Sequence, residues 1–471
     1  MKRKLTLGLS LAFLSLSPFV TTVQAGGLMT NTNYHIAFDR MFARGATTEI
    51  DAVFSNPAGL AWGHEGWQLS LNFQKPWQRR NIELDGTTYK GVASAPIVPA
   101  LFASYKKDRW ALSTMIGIVG SGGFVKYDEG VPMFNVLLNK TIYDLTSGLS
   151  SVTQGAIPAI TPDQYTIDAE MKGKQYIYGG QLNFTYKIID CLSAAVGMRA
   201  NYYDGYYRGH VIAGNHASKG TLAKLLLDVD QKGWGFTPIV SLNFHQGPLT
   251  LSARYEFRTK LNPKNDTNVL ETELNTTKIV QEPLAGLVMA GAISTEQAVA
   301  IATGIQEKMG GGLSAYTAPY EDGARTRYDM PALLSVAAGY EFTPKLRAAV
   351  EYHFFDDKNA KMGGDRQEEL THGTHEFLAG VEYDINEKFT VSCGGQRTDY
   401  GLSDGYQQNT SFACDSYSVG LGGAWNINEK LRLNASYFCS LYSDYEKQAS
   451  YGIETYSRTN HVVGIGLDYK F

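Results

Sequence analysis

The chain has 471 residues, a formal net charge of −4 and a hydrophobic fraction of 44%. This near-neutral balance gives no sign of a nucleic-acid partner, and the four scattered cysteines, Cys191, Cys393, Cys414 and Cys439, lack metal-type spacing and read as small apolar side chains. Past residue 25 no run reaches the ~18 apolar residues of a spanning helix, so a membrane protein of this sequence crosses with strands; 49 Gly, 29 Tyr and 21 Phe against 15 Pro suit a barrel.

Residues 1–25 read as an export signal. Lys2, Arg3 and Lys4 precede the apolar run Leu5 to Val20, and Val23-Gln24-Ala25 has the small-residue pattern of a cleavage site. Residues 26–64 lack the alternation of the following strands, so something other than the wall must hold them, and the sequence predicts a hatch inside the lumen. Within it, Asn56-Pro57-Ala58-Gly59 predicts a sharp entry into a short helical turn, with Asn56 as N-cap and Pro57 at the first helical position.

Residues 65–471 form the predicted barrel. A first strand runs from Trp67 to Phe73. Six pairs of alternating segments then flank short turns: Lys106–Arg109, Ile189–Cys191, Gly247-Pro248, Pro344-Lys345, Asn386–Lys388 and Asn428–Lys430. The last segment alternates Val463, Ile465, Leu467, Tyr469 and Phe471 with Gly464, Gly466, Asp468 and Lys470. Six short turns plus the terminal strands predict an all-β fold, an antiparallel transmembrane β-barrel of about 14 strands. The long connections fall on the opposite side, at 75–96, 124–173, 213–232, 265–324, 359–372, 402–411 and 449–455, where extracellular loops belong.

Three of these loops carry apolar residues at helical spacing: Phe134, Leu137, Leu138, Ile142 and Leu145; Leu222, Leu225, Leu226 and Val229; and Ala298, Ile301, Ala302, Ile305 and Met309. The third follows a capping box of Ser294 and Gln297 and ends at Gly310–Gly312. Either the helices pack on one another as a cap, or they form an apolar groove, with Phe134, Leu137, Leu138, Leu222, Leu225 and Leu226 as its candidate lining. In the third strand Gly117, Gly120, Gly122 and Gly123 interrupt the wall, as glycines do at a bulge or kink. Lumen parity turns Arg199, Arg254, Arg258, Arg347, Glu351, His353, Glu376 and Glu382 inward. There is no catalytic motif, and the histidines do not cluster at metal spacing, so neither an enzyme nor a metal or cofactor is expected.

Ala43-Arg44-Gly45-Ala46, followed by Asp51 through Ala61, resembles the long-chain fatty acid outer-membrane transporter family, the FadL and TodX group. The resemblance continues through Gly233-Trp234-Gly235-Phe236, Met330-Pro331-Ala332, Gly339-Tyr340-Glu341-Phe342 and Asp415-Ser416. It implies a Gram-negative outer-membrane location, capture of a hydrophobic small molecule and its release into membrane lipid at a third-strand kink, here Gly120, Gly122 and Gly123; the last strand, ending on Phe471, resembles the signal read by the outer-membrane assembly machinery. Arg199, Arg208, Arg254 and Arg258 are positional candidates for anchoring a carboxylate, and a monomer is expected. The 265–324 loop departs from the family pattern in length and helicity. The competing expectation is a surface binding protein, an adhesin or a haem or phage receptor.

Overall fold

A computed structural model describes residues 34–95, 97–215, 220–308 and 317–471. The predicted export signal and the first residues of the predicted hatch lie outside these. Fourteen antiparallel strands close into one barrel, each paired with its chain neighbour and the last with the first. They are β1 Gly66–Leu84, β2 Thr87–Ser94 and Val98–Lys107, β3 Trp110–Tyr127, β4 Tyr165–Ile189, β5 Leu192–Asn215, β6 Thr221–Gln246, and β7 Leu249–Glu256 with Lys264–Leu274. The second half comprises β8 Leu333–Thr343, β9 Leu346–Phe355, β10 Thr374–Asp384, β11 Phe389–Asp399, β12 Ser416–Asn426, β13 Leu431–Tyr442 with Tyr445–Ala449, and β14 Gly452–Lys470. All six predicted short turns lie at one end.

Side-chain alternation explains the wall. On β4, Tyr178, Leu182, Phe184 and Tyr186 point outward and stay exposed, while Gln181, Asn183 and Thr185 are buried in the lumen. The outward aromatics form two girdles. Tyr178, Tyr202 and Trp234 sit side by side on β4, β5 and β6, and Tyr186 lies about 26 Å further along β4 at the usual strand rise. At the usual strand tilt of about 35–45° that span covers about 20 Å of height, comparable to the apolar band of outer-membrane barrels.

Three expectations need correction. Residues 75–84, 87–94, 213–215 and 221–232 are strand rather than loop, because β1 and β2, and β5 and β6, continue well past the outer girdle as paired strands. For the same reason the first strand is 19 residues long. The segment from Leu222 to Val229 is not a helix: it lies in β6, where Leu225 pairs with Val211 on one side and Thr272 on the other. Helical spacing of leucines is a local pattern, and two long-range ladders override it.

The other two helical patterns do fold as helices. After α1 Ile36–Met41 and α2 Ala52–Ser55 of the hatch comes α3 Pro132–Val152, and a hairpin follows of α4 Glu282–Met289 and α5 Thr295–Lys308. Ser294 and Gln297 exchange the predicted capping bonds, at 3.2 and 2.8 Å. The end of that helix at Gly310–Gly312 lies outside the described residues. Leu138, Ile142 and Leu149 of α3 pack with Ile279, Val280 and Leu284 and with Val211 and Leu222 of the wall, closing a small core above the barrel. All four cysteines are free thiols.

Candidate functional site

Residues 34–64 lie inside the barrel and seat on opposite walls through two different devices. α1 leans on β10 to β14. Gly380 and Gly394 face each other on β10 and β11, and a Cβ at either would stand 2.0 Å from the carbonyl oxygen of Met41. The paired glycines thus form a notch that admits the helix backbone. Around it, Arg40 pairs with Glu382, which Arg347 also contacts, and Arg44 grips Asp51 at 2.6 Å and Glu49 at 2.7 Å. Glu351 accepts the N–H groups of Arg44 and Gly45 at 2.8 and 2.7 Å.

The second device holds the Asn56-Pro57-Ala58-Gly59 turn. Pro57 opens a 3-10 helix, Pro57–Trp62, but the Asn56 side chain does not cap it. Instead it donates to Leu242 O and Asn243 Oδ1, both at 3.2 Å. Thr185 Oγ1 donates to Pro57 O at 2.8 Å, Ser193 Oγ to Ala58 O at 2.6 Å, and Ala58 N–H donates to Ser241 Oγ at 3.1 Å. At Gly59 a Cβ would meet Thr47 O at 2.3 Å, so glycine is required for the close chain approach. Lumen-facing polar residues of β4 to β6 therefore satisfy backbone groups of the hatch that its short helices leave unpaired.

This arrangement reassigns the predicted arginines. Arg199 and Arg254 are buried, flank the ring of Phe54 at 5.3 and 5.6 Å, and both pair with Glu256; Arg254 also donates to Phe54 O. They clamp the hatch. Arg258 does not face the lumen as predicted: it lies past the end of its strand, exposed, against Asp329 and the Asn359 carbonyl. Arg208 stands on the outer face of β5, paired with Asp228 and Asp230 at 3.0 and 3.2 Å. Arg347, Glu351, His353, Glu376 and Glu382 do face inward, and His353 bridges Glu351 and Glu376 at 2.7 and 2.9 Å.

Above α1 the lumen opens into a cavity of about 1280 Å³, counted with its open mouths. Phe38 and Phe42 floor it, and at one side it reaches Ala95, Val98, Ile118, Gly120 and Gly123. Here the wall is incomplete. Bulges fall between Ile118 and Gly120 and between Ser121 and Gly123, and Gly123 has φ +72°. β2 itself breaks between Ser94 and Val98. Among the described residues no pairing joins β2 to β3 between Gly117 and Phe124. The glycine cluster foreshadowed the bulges; the missing ladder emerges only from the register.

Beside the break, the adjoining strands β1 and β14 present Arg80 and Arg458 to the cavity. Arg80 is 4% exposed and its Nε has no hydrogen-bond partner, while Arg458 stacks on Tyr442 at 4.8 Å. Neither forms an ion pair among the described residues. Arg80 fell within a stretch expected to be a loop, so parity did not mark it as facing the lumen.

A second, smaller pocket opens beside α3. Met133, Phe134 and Leu137 line it with Met171, Tyr207 and Leu225. The predicted groove residues thus divide. Phe134, Leu137 and Leu225 border open space, Leu138 and Leu222 are consumed in the helix core, and Leu226 lies on the opposite face of β6 from Leu225.

Among known proteins, a model of the outer membrane protein beta-barrel domain matches residues 285–471. Solved structures share the whole architecture at low identity. A FadL homologue of Pseudomonas aeruginosa is 13% identical, with a TM-score of 0.62 over 95% of this chain and 100% of that one. The toluene transporters TodX of Pseudomonas putida and TbuX of Ralstonia pickettii are each 13% identical, with TM-scores of 0.55 and 0.50. TodX aligns over 90% of this chain and 95% of its own, TbuX over 89% and 94%. No curated protein matches by sequence. The chain is an antiparallel β-barrel with the FadL/TodX-type fold, and its second half matches the outer membrane protein beta-barrel domain.

Proposed function

We propose that this barrel takes up a hydrophobic small molecule from outside the cell and releases it sideways into the outer membrane. The carrying observation is the break in the β2–β3 ladder, with the lumen cavity running up to it. A barrel wall ordinarily leaves no backbone group unpaired toward lipid, and here, among the described residues, the β2–β3 ladder stops at Gly117 and resumes only at Phe124, beside the two bulges of β3. The floor argues in the same direction. The hatch is fastened to both walls, so passage onward to the periplasm requires breaking many buried polar contacts, whereas lateral exit breaks none of them.

Ligand enters at the pocket of Phe134, Leu137 and Leu225, whose lining is predominantly apolar. It then reaches the lumen cavity, where Arg80 and Arg458 have no carboxylate partner among the described residues. A buried guanidinium favours a bidentate carboxylate, so these two, rather than Arg199, Arg208, Arg254 or Arg258, are the anchor candidates for an acidic ligand such as a long-chain fatty acid. Toluene, which the TodX and TbuX barrels transport, needs no such anchor.

The test is uptake of oleate by cells carrying the barrel with Gly120→Val and Gly123→Val together. Side chains at the bulge close the gap, and Gly123 sits at a φ that valine disfavours. Uptake should fall to the level of cells without the barrel while heat-modifiable migration of the folded protein persists. Undiminished uptake rules out the sideways route.

A further inference from the structure

Between the outer pocket and the lumen cavity lies a plug of buried aromatic rings. Tyr127, Tyr207, Phe412 and Tyr456 belong to it, with the Phe412 and Tyr456 ring centres 4.7 Å apart. Tyr207 also lines the outer pocket, and Tyr442, packed against the plug, lines the lumen cavity. A ligand moving from one space to the other has to part these rings.

One side chain ties the plug to the mouth of the outer pocket. Helix α3 begins without a cap of its own, since Val131 at the N-cap has no side-chain acceptor. First-turn N–H groups need an acceptor from elsewhere when they are withdrawn from water. The N–H of Met133 donates to Oδ1 of Asn409 at 2.6 Å, across 276 residues of chain. Asn409, buried in the β11–β12 connection, donates through Nδ2 to Glu454 Oε1 at 2.7 Å and to Tyr456 Oη at 2.9 Å. The Tyr456 hydroxyl donates in turn to Glu454 Oε2 at 2.6 Å. One amide therefore accepts from the helix that lines the outer pocket and donates to a ring of the plug.

The geometry points to a latch: Asn409 couples occupation of the outer pocket to opening of the aromatic plug. This rests on the uptake reading above and names the device that regulates it. A hydrophobic molecule wedged between Phe134, Leu137 and Tyr207 lifts the first turn of α3. Met133 N–H then leaves Oδ1, and the amide, having lost its acceptor role, turns and releases Tyr456 with its stacked neighbour Phe412. In the empty barrel the plug stays shut, so the gap in the wall is reached only by a molecule that has already filled the outer pocket. Coupling of this kind acts in both directions, so weakening the plug also loosens the helix start.

Asn409→Asp and Asn409→Ala separate the latch from simple loosening. Aspartate keeps an acceptor for Met133 N–H but replaces both donated bonds by a carboxylate beside Glu454; alanine removes all three contacts. The full-length barrel, reconstituted in phospholipid liposomes, is followed by amide exchange and by transfer of N-phenyl-1-naphthylamine into the bilayer, with heat-modifiable migration as the fold control. In both variants exchange at residues 452–458 should rise by about tenfold, the worth of roughly one hydrogen bond. The first turn of α3 should loosen more in the alanine variant than in the aspartate variant.

Probe transfer should be several-fold faster in both variants and insensitive to Phe134→Ala, a substitution that slows transfer when Asn409 is present. Exchange that rises at α3 without rising at 452–458 overturns the latch, as does transfer unchanged or slowed by both substitutions. If the unsubstituted barrel transfers the probe no faster than its Gly120→Val, Gly123→Val form, the uptake reading fails. The latch is then decided by the exchange pattern alone.

Discussion

Adding one methyl group at Gly394 should unseat the hatch without disturbing the wall. The Cβ of Gly394→Ala would stand 2.0 Å from Met41 O and 2.5 Å from the Met41 carbonyl carbon, both backbone atoms that cannot rotate away. Ordinary contact requires a displacement of about 1 Å or more, and overpacking of this kind costs about 1–3 kcal/mol. That strain falls on α1, the lighter partner, because Gly394 itself is pinned in the β10–β11–β12 ladder by pairing with Gly380 and Gly420. α1 is short, six residues, and its own Arg40 is buried with Glu382 of β10, so a shift also stretches their ion pair. Amide exchange over residues 36–43, measured on the detergent-solubilised protein, should therefore speed up roughly 5- to 150-fold, the rate equivalent of that cost. Gly395→Ala is the control, since its Cβ would meet only Ser418 O, at 3.4 Å. Equal exchange in the two variants would refute the glycine notch as the seat of the helix.

Arg80→Gln together with Arg458→Gln should weaken oleate binding, measured by fluorescence competition, by about tenfold or more while leaving toluene binding unchanged, since loss of a charge-assisted hydrogen bond costs roughly 1.5–3 kcal/mol. Phe54→Ala removes the ring between Arg199 and Arg254 and should destabilise the hatch by about 3–5 kcal/mol, read as protease sensitivity of residues 44–62 in an intact barrel. The extracellular loop after β9 should respond to pH. Burial pushes the Asp357 carboxyl up to about 7, although hydrogen bonds from Thr374 oppose the shift. A carboxyl raised on folding stabilises the loop fully below its unfolded value near 4, and that contribution is lost as pH rises through 7. Limited proteolysis of residues 356–373 should accordingly be slower at pH 5 than at pH 8, and Asp357→Asn should flatten the difference.

Several levels of this structure were already present in the sequence. Strand alternation, the six short turns and the apolar terminal strand identify a barrel of fourteen strands, because which face a side chain takes depends only on its neighbours two residues away. The Asn56-Pro57 turn, α3 and the capped α5 are equally local. Where the sequence misled, a distant partner decided. Leu222 to Val229 became strand because β5 and β7 flank it, and the stretches after Phe73 and Ala213 remained strand because their neighbours also extend past the membrane.

The candidate site divides along the same line. Gly120, Gly122 and Gly123 marked the bulges in β3, yet the interruption of the β2–β3 ladder among the described residues arises because β2 also breaks beside them, a coincidence of register between two strands. Arg199 and Arg254 were correctly placed in the lumen, but their role passed to the hatch once Phe54 and Glu256 met them there. Arg80, Arg458 and Asn409 gave no local signal. Their importance arises from closing the barrel, which sets two arginines on adjacent strands with no carboxylate partner among the described residues and brings one amide between α3 and β14. Sequence determined which residues face inward; only the closed barrel decided which of them meet.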